Sequence, residues 1–362
     1  MSNELPIRKD LAGRTAYGAP QLNLPVQLNT NENPFPLSDL FMQDLSSAIS
    51  EIATNLNRYP DRDAISLRAE LASYISSSAS TAIDPGQVWA ANGSNEILQQ
   101  ICQLFGGPDR LAVGFVPSYS VHELIAQTTC TDWKSIPRNE SFEIDSSSLS
   151  KLEKNSDIVF ICTPNNPTGT KTSLQLIKEV HDHIQGIVVV DEAYAEFSED
   201  ASAITLLEQL PRLLVVRTMS KAFALAGVRI GYLVASKDVI DSIALVRLPY
   251  HVSALTQAAG LVALKHQSQL AEQVKAIIVQ RERIEKGLIH LGLKVAPSSA
   301  NFVLFGEFAD NHEVWRKLAD RGVLIRDVGI EKWLRVTAGT EAETTKFLAE
   351  LSKIVPTSPK ET

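Results

Sequence analysis

Through the middle of the chain, short apolar runs alternate with polar stretches of helical character, the pattern of βαβ units wound into a largely parallel sheet. Strands are expected at 88–91, 111–115, 158–162, 187–190, 213–216 and 230–235. Polar and glycine-bearing motifs follow the C-terminal ends of most of these runs. In open α/β sheets that edge is where ligands collect, so the placement alone points to a site there.

The flanks read differently. Residues 13–36 are rich in Pro, Asn and Gly with weak periodicity, and read as an extended arm that packs on another part of the molecule. From 254 to 291 good helix formers dominate, followed by short strand patterns at 295–297, 302–305 and 334–337. That shift predicts a second, α+β unit. A chain of 362 residues exceeds the usual single core, and the expected division is an arm at 1–30, a large domain at 31–250 and a small C-terminal domain at 251–362. The serine run at 76–80 reads as a loop and 356–362 as a frayed end.

Composition narrows the partners. Apolar residues make up 44% and charged residues 21%, as in globular chains, and no segment reaches the roughly 18 apolar residues of a membrane span. The first ten residues carry no apolar stretch of signal-peptide length, so a cytoplasmic protein without a membrane partner is expected. A net charge of −8 argues against nucleic acid, which needs clustered cations, but leaves room for an anionic small substrate in a local Arg pocket. Cys102, Cys130 and Cys162 lack CxxC or CxxH spacing, so neither a metal site nor a disulfide framework is expected, and Cys162 reads as a core thiol.

The chemistry gathers after consecutive strands: Asp191-Glu192-Ala193-Tyr194, then Ser220-Lys221, then Arg229-Ile230-Gly231-Tyr232. Singly, a strand-end Asp is usually a cap and a lone Lys usually a solvated surface residue. Jointly they suit an aldehyde cofactor. A Lys amine forms a Schiff base with it, and a carboxylate such as Asp191 beside a pyridine nitrogen keeps that ring protonated and electron-accepting. Once displaced by substrate, the Lys221 amine is free to act as general base.

A phosphate on such a cofactor needs donors, and the turn Gly93-Ser94-Asn95-Glu96 leads into a helix whose first backbone N–H groups and dipole supply them. Gly93 permits close backbone approach. Ser220 and Arg229 add a hydroxyl and a permanent charge. The turn Thr163-Pro164-Asn165-Asn166-Pro167-Thr168-Gly169 offers the Asn166 amide, and Tyr194 its hydroxyl, to a phenolic oxygen.

In these motifs the sequence resembles the fold-type I aminotransferases, and within them the histidinol-phosphate aminotransferase branch. The resemblance rests on an ordered series: Asn29-Thr30-Asn31-Glu32-Asn33-Pro34, Arg58-Tyr59-Pro60-Asp61, Gly93-Ser94-Asn95-Glu96, Pro117-Ser118-Tyr119, Asn165 to Gly169, Asp191 to Tyr194, Ser220-Lys221 with Leu225-Ala226-Gly227, and Leu334-Arg335-Val336-Thr337. It implies an α/β, aspartate-aminotransferase-like fold, with a mostly parallel large domain and a smaller α+β C-terminal domain. It implies pyridoxal 5'-phosphate on Lys221, with Asp191 and Tyr194 as the other catalytic groups.

The same resemblance makes Gly93, Ser94, Asn95, Asn166, Thr218, Ser220 and Arg229 cofactor-binding. Tyr119 is similar to the aromatic that stacks on the pyridine ring. Tyr59 is similar to the residue that crosses a homodimer interface to the partner's cofactor phosphate. Tyr17, Asn31, Arg326 and Arg335 are expected at the substrate, with Arg335 gripping its anionic group. The implied reaction converts L-histidinol phosphate and 2-oxoglutarate to imidazole acetol phosphate and L-glutamate. Relatives that transaminate phenylalanine or tyrosine share the cofactor motifs, which do not separate the two readings, and a decarboxylase or a cofactor-bound regulator on the same fold also stays open.

Overall fold

The computed structural model describes residues 5–16, 18 and 20–355; Tyr17 and the tail from 356 lie outside the described residues. A short strand β1 (Val26–Gln27) and helices α1 (Asp39–Ala53) and α2 (Ile65–Ala79) come first. Helix α2 runs through the serine stretch expected to be a loop, which corrects that reading. Leu67, Leu71, Ala72 and Ile75 recur at helical spacing and are buried. Ser76 and Ser78 return their hydroxyls to the carbonyls of Ala72 and Ile75, at 2.7 and 3.2 Å, so the serines do not compete with the helix.

The main sheet is assembled from β2 (Val88–Ala91), α3 (Ser94–Phe105), β3 (Leu111–Val116), α4 (Val121–Thr128), β4 (Asp132–Pro137), α5 (Ser146–Leu149), β5 (Ile158–Cys162), α6 (Leu174–His183), β6 (Ile187–Asp191), β7 (Leu213–Thr218) and β8 (Gly231–Val234). Its seven strands lie in the order β2-β8-β7-β6-β5-β3-β4. All neighbours are parallel except at β8, which runs against β2 and β7. Helices cover both faces, so the central strands are apolar along their whole length: Val188 and Val190 pack into one core, Ile187 and Val189 into the other. Each such side chain contributes about 1.5–3 kcal/mol relative to exposure. Edge strand β4 was not expected, because Asp-Trp-Lys-Ser-Ile-Pro buries only Ile136 fully and carries little apolar signal.

Helices α7 (Lys237–Ile243), α8 (Ala254–Lys265) and α9 (Gln267–His290) lead to β9 (Lys294–Val295), β10 (Phe302–Gly306), α10 (Asn311–Asp320), β11 (Val323–Leu324), β12 (Arg326–Asp327), β13 (Trp333–Thr337) and α11 (Glu341–Ser352). An antiparallel sheet β12-β13-β10-β9 forms the second unit, and β11 pairs in parallel with β1. The expected arm thus has a partner. Past β1 its Leu28 carbonyl accepts the Thr337 N–H at 3.0 Å, and its Asn31 N–H donates to Thr337 Oγ1 at 3.1 Å. Among the described residues no helix is long and apolar enough to cross a membrane.

Candidate active site

The C-terminal ends of β3, β5, β6 and β7 open on a cavity of about 510 Å³ between the main sheet, the arm and the antiparallel sheet. Its lining brings together Asn31, Ser94, Asn95, Tyr119, Asn166, Asp191, Tyr194, Thr218, Ser220, Lys221, Arg229, Arg326 and Arg335, every one of them expected from sequence. Gly93, also expected, precedes Ser94 at the start of α3 and is not part of this lining. Cys162 is buried, as expected of a core thiol, and also touches the cavity. Tyr59 lies elsewhere: it is 79% exposed and stacked on Tyr250 with ring centroids 4.4 Å apart. Tyr17 cannot be placed, since it falls outside the described residues.

One end is shaped for an anion. Helix α3 begins at Gly93 with no side-chain cap, so its first N–H groups keep their hydrogen-bonding capacity. At Gly93 the φ is +82°, and an added Cβ would stand 2.6 Å from Nη2 of Arg229. Gly231, at the start of antiparallel β8, lies against Gly93 and Ser94 so closely that a Cβ there would collide with backbone. The strand that runs the other way therefore delivers Arg229 beside the helix end. Arg229 Nη1 donates to the Ala226 carbonyl at 3.1 Å and to Ser220 Oγ at 3.5 Å, while Thr218 Oγ1 donates to Ser220 Oγ at 3.0 Å. Helix end, two hydroxyls and guanidinium form one cradle.

Asp191, 2% exposed at the end of β6, has one oxygen 3.0 Å from Nε2 of His122 and the other accepting the Ala193 N–H at 3.2 Å. An ionised carboxylate only accepts, so the imidazole donates from Nε2. His122, on α4, stacks on Phe160 at 4.8 Å and meets Tyr119 edge-on at 5.4 Å. This residue was missed from sequence. Val-His-Glu-Leu is an unremarkable helical stretch, and its link to Asp191 spans 69 residues.

Lys221 Nζ donates to the Thr30 carbonyl at 3.0 Å. Burial, then the charge of Arg335 and to a lesser degree that of Arg229, bring its amine down from 10.5 to about 8, with Glu32 pulling the other way. An amine near 8 is about one-tenth neutral at pH 7, far more than an ordinary lysine. Tyr194 takes a hydrogen bond from Asn31 Nδ2 at 3.0 Å, and its burial holds the phenol protonated well above its usual range. Asn31 itself sits at φ +56°, fixed by Thr337 and by the Asn301 amide, which donates to its carbonyl at 3.0 Å.

Arg335 Nη1 donates to Asn166 Oδ1 at 2.6 Å and its Nη2 to the Asn29 carbonyl at 2.7 Å, with the guanidinium 5.1 Å above the Phe302 ring. With Oδ1 of Asn166 so occupied, Nδ2 is the atom left to donate. Arg326 Nη2 donates to the Gly18 carbonyl at 3.2 Å. Tyr119 Oη donates to Asn95 Oδ1 at 3.2 Å, joining an aromatic wall to the helix end. Phosphate cradle, carboxylate, low-pKa amine and two further arginines thus converge in one space, which suits a phosphate-bearing cofactor and an anionic substrate.

Comparison with known proteins agrees with this geometry. The family model for aminotransferase class I and II matches residues 25–351. A histidinol-phosphate aminotransferase of Corynebacterium diphtheriae is 52% identical over 349 residues, covering 96% of this chain and 95% of that protein. One from Mycobacterium marinum is 51% identical over 358 residues, covering 98% and 94%. Among solved structures, the histidinol-phosphate aminotransferase of Sinorhizobium meliloti in complex with pyridoxal-5'-phosphate superposes with a TM-score of 0.80 at 24% identity, over 92% of this chain and 91% of that one.

Proposed function

The chain belongs to the class I and II aminotransferases, and from that premise we propose that it moves the amino group of L-histidinol phosphate to 2-oxoglutarate, giving imidazole acetol phosphate and L-glutamate, a step of histidine biosynthesis. The observation that carries the reading is the convergence of Lys221, Asp191 and three arginines in one cavity of a chain half-identical, over nearly its full length, to proteins of that name. An aromatic amino acid as donor is not favoured by these relatives.

Pyridoxal phosphate fits the donor set. The uncapped start of α3 at Gly93, Ser94 and Asn95, with Thr218, Ser220 and Arg229, would take its phosphate, and glycine at 93 and 231 is what lets Arg229 and the helix start pack this closely. Asp191 would meet the pyridine nitrogen, Tyr119 the ring face, and Asn166 and Tyr194 the phenolic oxygen. When bound, the cofactor supplies an aldehyde and an electron-accepting ring.

The chain's own residues do the rest. His122 fixes the orientation of the Asp191 carboxylate. Nζ of Lys221, neutral in good part near pH 8, takes a proton from the substrate carbon that bears the amine and returns it later in the cycle. Arg335 and Arg326, with Tyr17 and Asn31, hold the substrate's phosphate or the carboxylates of the second substrate, because a guanidinium fork matches both.

The same reading takes 31–250 as the cofactor-holding domain, 251–362 as the small domain and 1–30 as the arm. It includes a homodimer in which Tyr59 reaches the partner's cofactor phosphate. Tyr59 is exposed, as are Leu56, Ile65, Leu245 and Leu248, an amount of apolar surface that a second copy would cover. Residence in the cytoplasm, where small biosynthetic metabolites are handled, belongs to the proposal too.

Steady-state transfer to 2-oxoglutarate from histidinol phosphate and from phenylalanine tests it. The expected kcat/KM favours histidinol phosphate by well over about tenfold, 1.4 kcal/mol. A preference for phenylalanine of that size overturns it.

A further inference from the structure

Among the described residues, two carboxylates line the cavity, Asp191 and Glu32. Asp191 is committed to His122 and the Ala193 N–H. Glu32 is exposed and forms no hydrogen bond or ion pair with any described residue. Its backbone is nonetheless fixed from both sides. Asn31 is held by Tyr194, Thr337 and Asn301, and Asn33 donates to Gln273 at 3.2 Å while its Oδ1 accepts the Phe35 N–H at 3.0 Å.

A cavity that gathers Arg229, Arg326 and Arg335 to bind anions is weakened for that purpose by an uncompensated negative charge on its wall. The charge also reaches inward, since it opposes the depression of the Lys221 amine. Some part of a ligand must therefore be cationic or a hydrogen-bond donor. On the reading above, cofactor and substrate phosphates are met by guanidinium and backbone donors. The unmatched part of the amino donor is its imidazole, which offers one N–H when neutral and two when protonated.

We propose that Glu32 recognises the imidazole ring of the amino donor by accepting a hydrogen bond from its N–H, and so separates histidinol phosphate from donors with an unfunctionalised ring such as phenylalanine. This rests on the function proposed above and adds the specificity-determining residue. An acceptor on the cavity wall with no other described partner discriminates once the ligand covers it, because an analogue lacking the donor leaves it unpaired. The second substrate pair meets the opposite effect. Glutamate presents a carboxylate where histidinol phosphate presents a ring, and Glu32 repels it.

The two substrates should consequently respond to Glu32 with opposite sign. In single-turnover half-reactions of the holoenzyme, Glu32→Ala is expected to weaken histidinol phosphate by about tenfold or more, with Glu32→Gln in between because its amide oxygen still accepts. Both variants should bind glutamate more tightly than the parent. In the cofactor-free protein, Glu32→Ala should also move the pH at which the Lys221 amine reacts with an amine-selective reagent to a lower value. A parallel loss for both substrates, an unchanged affinity for histidinol phosphate, or an unmoved Lys221 titration would each overturn the assignment. If the unmutated enzyme does not turn over histidinol phosphate at all, the functional reading has failed and takes this one with it.

Discussion

Asp191 and Glu192 are adjacent, equally buried at 2% and 3%, and turned to opposite sides of the same strand end. Glu192 is saturated. Its Oε2 accepts from Nε and Nη2 of Arg217 at 2.9 and 2.8 Å and from Ser202 Oγ at 2.7 Å, while Oε1 accepts the Ala203 N–H at 2.7 Å. Asp191 has one imidazole and one backbone N–H, and borders the cavity. The saturated carboxylate ties β6 to β7 and to the 202–203 turn. The other keeps capacity for a ligand. On the proposed function two neighbouring carboxylates serve fold and chemistry separately, and mutation should pull the two roles apart.

The largest effect is expected at Lys221. Lys221→Ala should lower turnover by about ten-thousandfold or more, as loss of both nucleophile and general base. Its stability should change in the reverse direction. The folded chain holds this amine at about 8 against 10.5 when unfolded, so folding is penalised below about 8 and the penalty fades as pH rises to 10.5. Thermal melts of the cofactor-free variant should therefore exceed the parent at pH 7 and converge with it near pH 10.5.

Next, Asp191→Asn should cost about a thousandfold in kcat with little change in denaturant midpoint, because shape is kept and only the charge is lost. If the protein unfolds instead, the division of roles is wrong. Glu192→Gln should show the converse, about 3 kcal/mol of stability lost by leaving buried Arg217 with only the more distant Glu196 carboxylate at 3.7 Å, read from urea unfolding. Turnover per folded molecule should stay within about tenfold of the parent. The smallest effect is expected at His122→Phe, which keeps the ring stack on Phe160 but removes the hydrogen bond, at about tenfold in kcat.

From the letters alone, Asp191-Glu192 gave no means of telling the two carboxylates apart. Strand position located Asp191 correctly, since Ile187–Asp191 is an apolar run with a polar end, but Arg217 reads as one more residue of β7 until the register sets it beside Glu192. Apolar runs revealed six strands of the main sheet because those are buried on both faces, and they left β4 hidden because an edge strand need not be apolar. Site residues next to strand ends were legible for the same reason. His122 and Glu32 were not, since one is tied to Asp191 by a contact 69 residues away and the other has no partner among the described residues.

The arm carries a consequence for how the molecule is made. Asn29, Thr30 and Asn31 form one wall of the cavity, yet β1 is completed by β11, and Asn31 by a hydroxyl 306 residues downstream. A ribosome emits this wall 306 residues before the hydroxyl that supports it. Contacts so distant in sequence cannot form until both segments have been made, so this wall waits for the strands that support it before the cavity closes around Lys221.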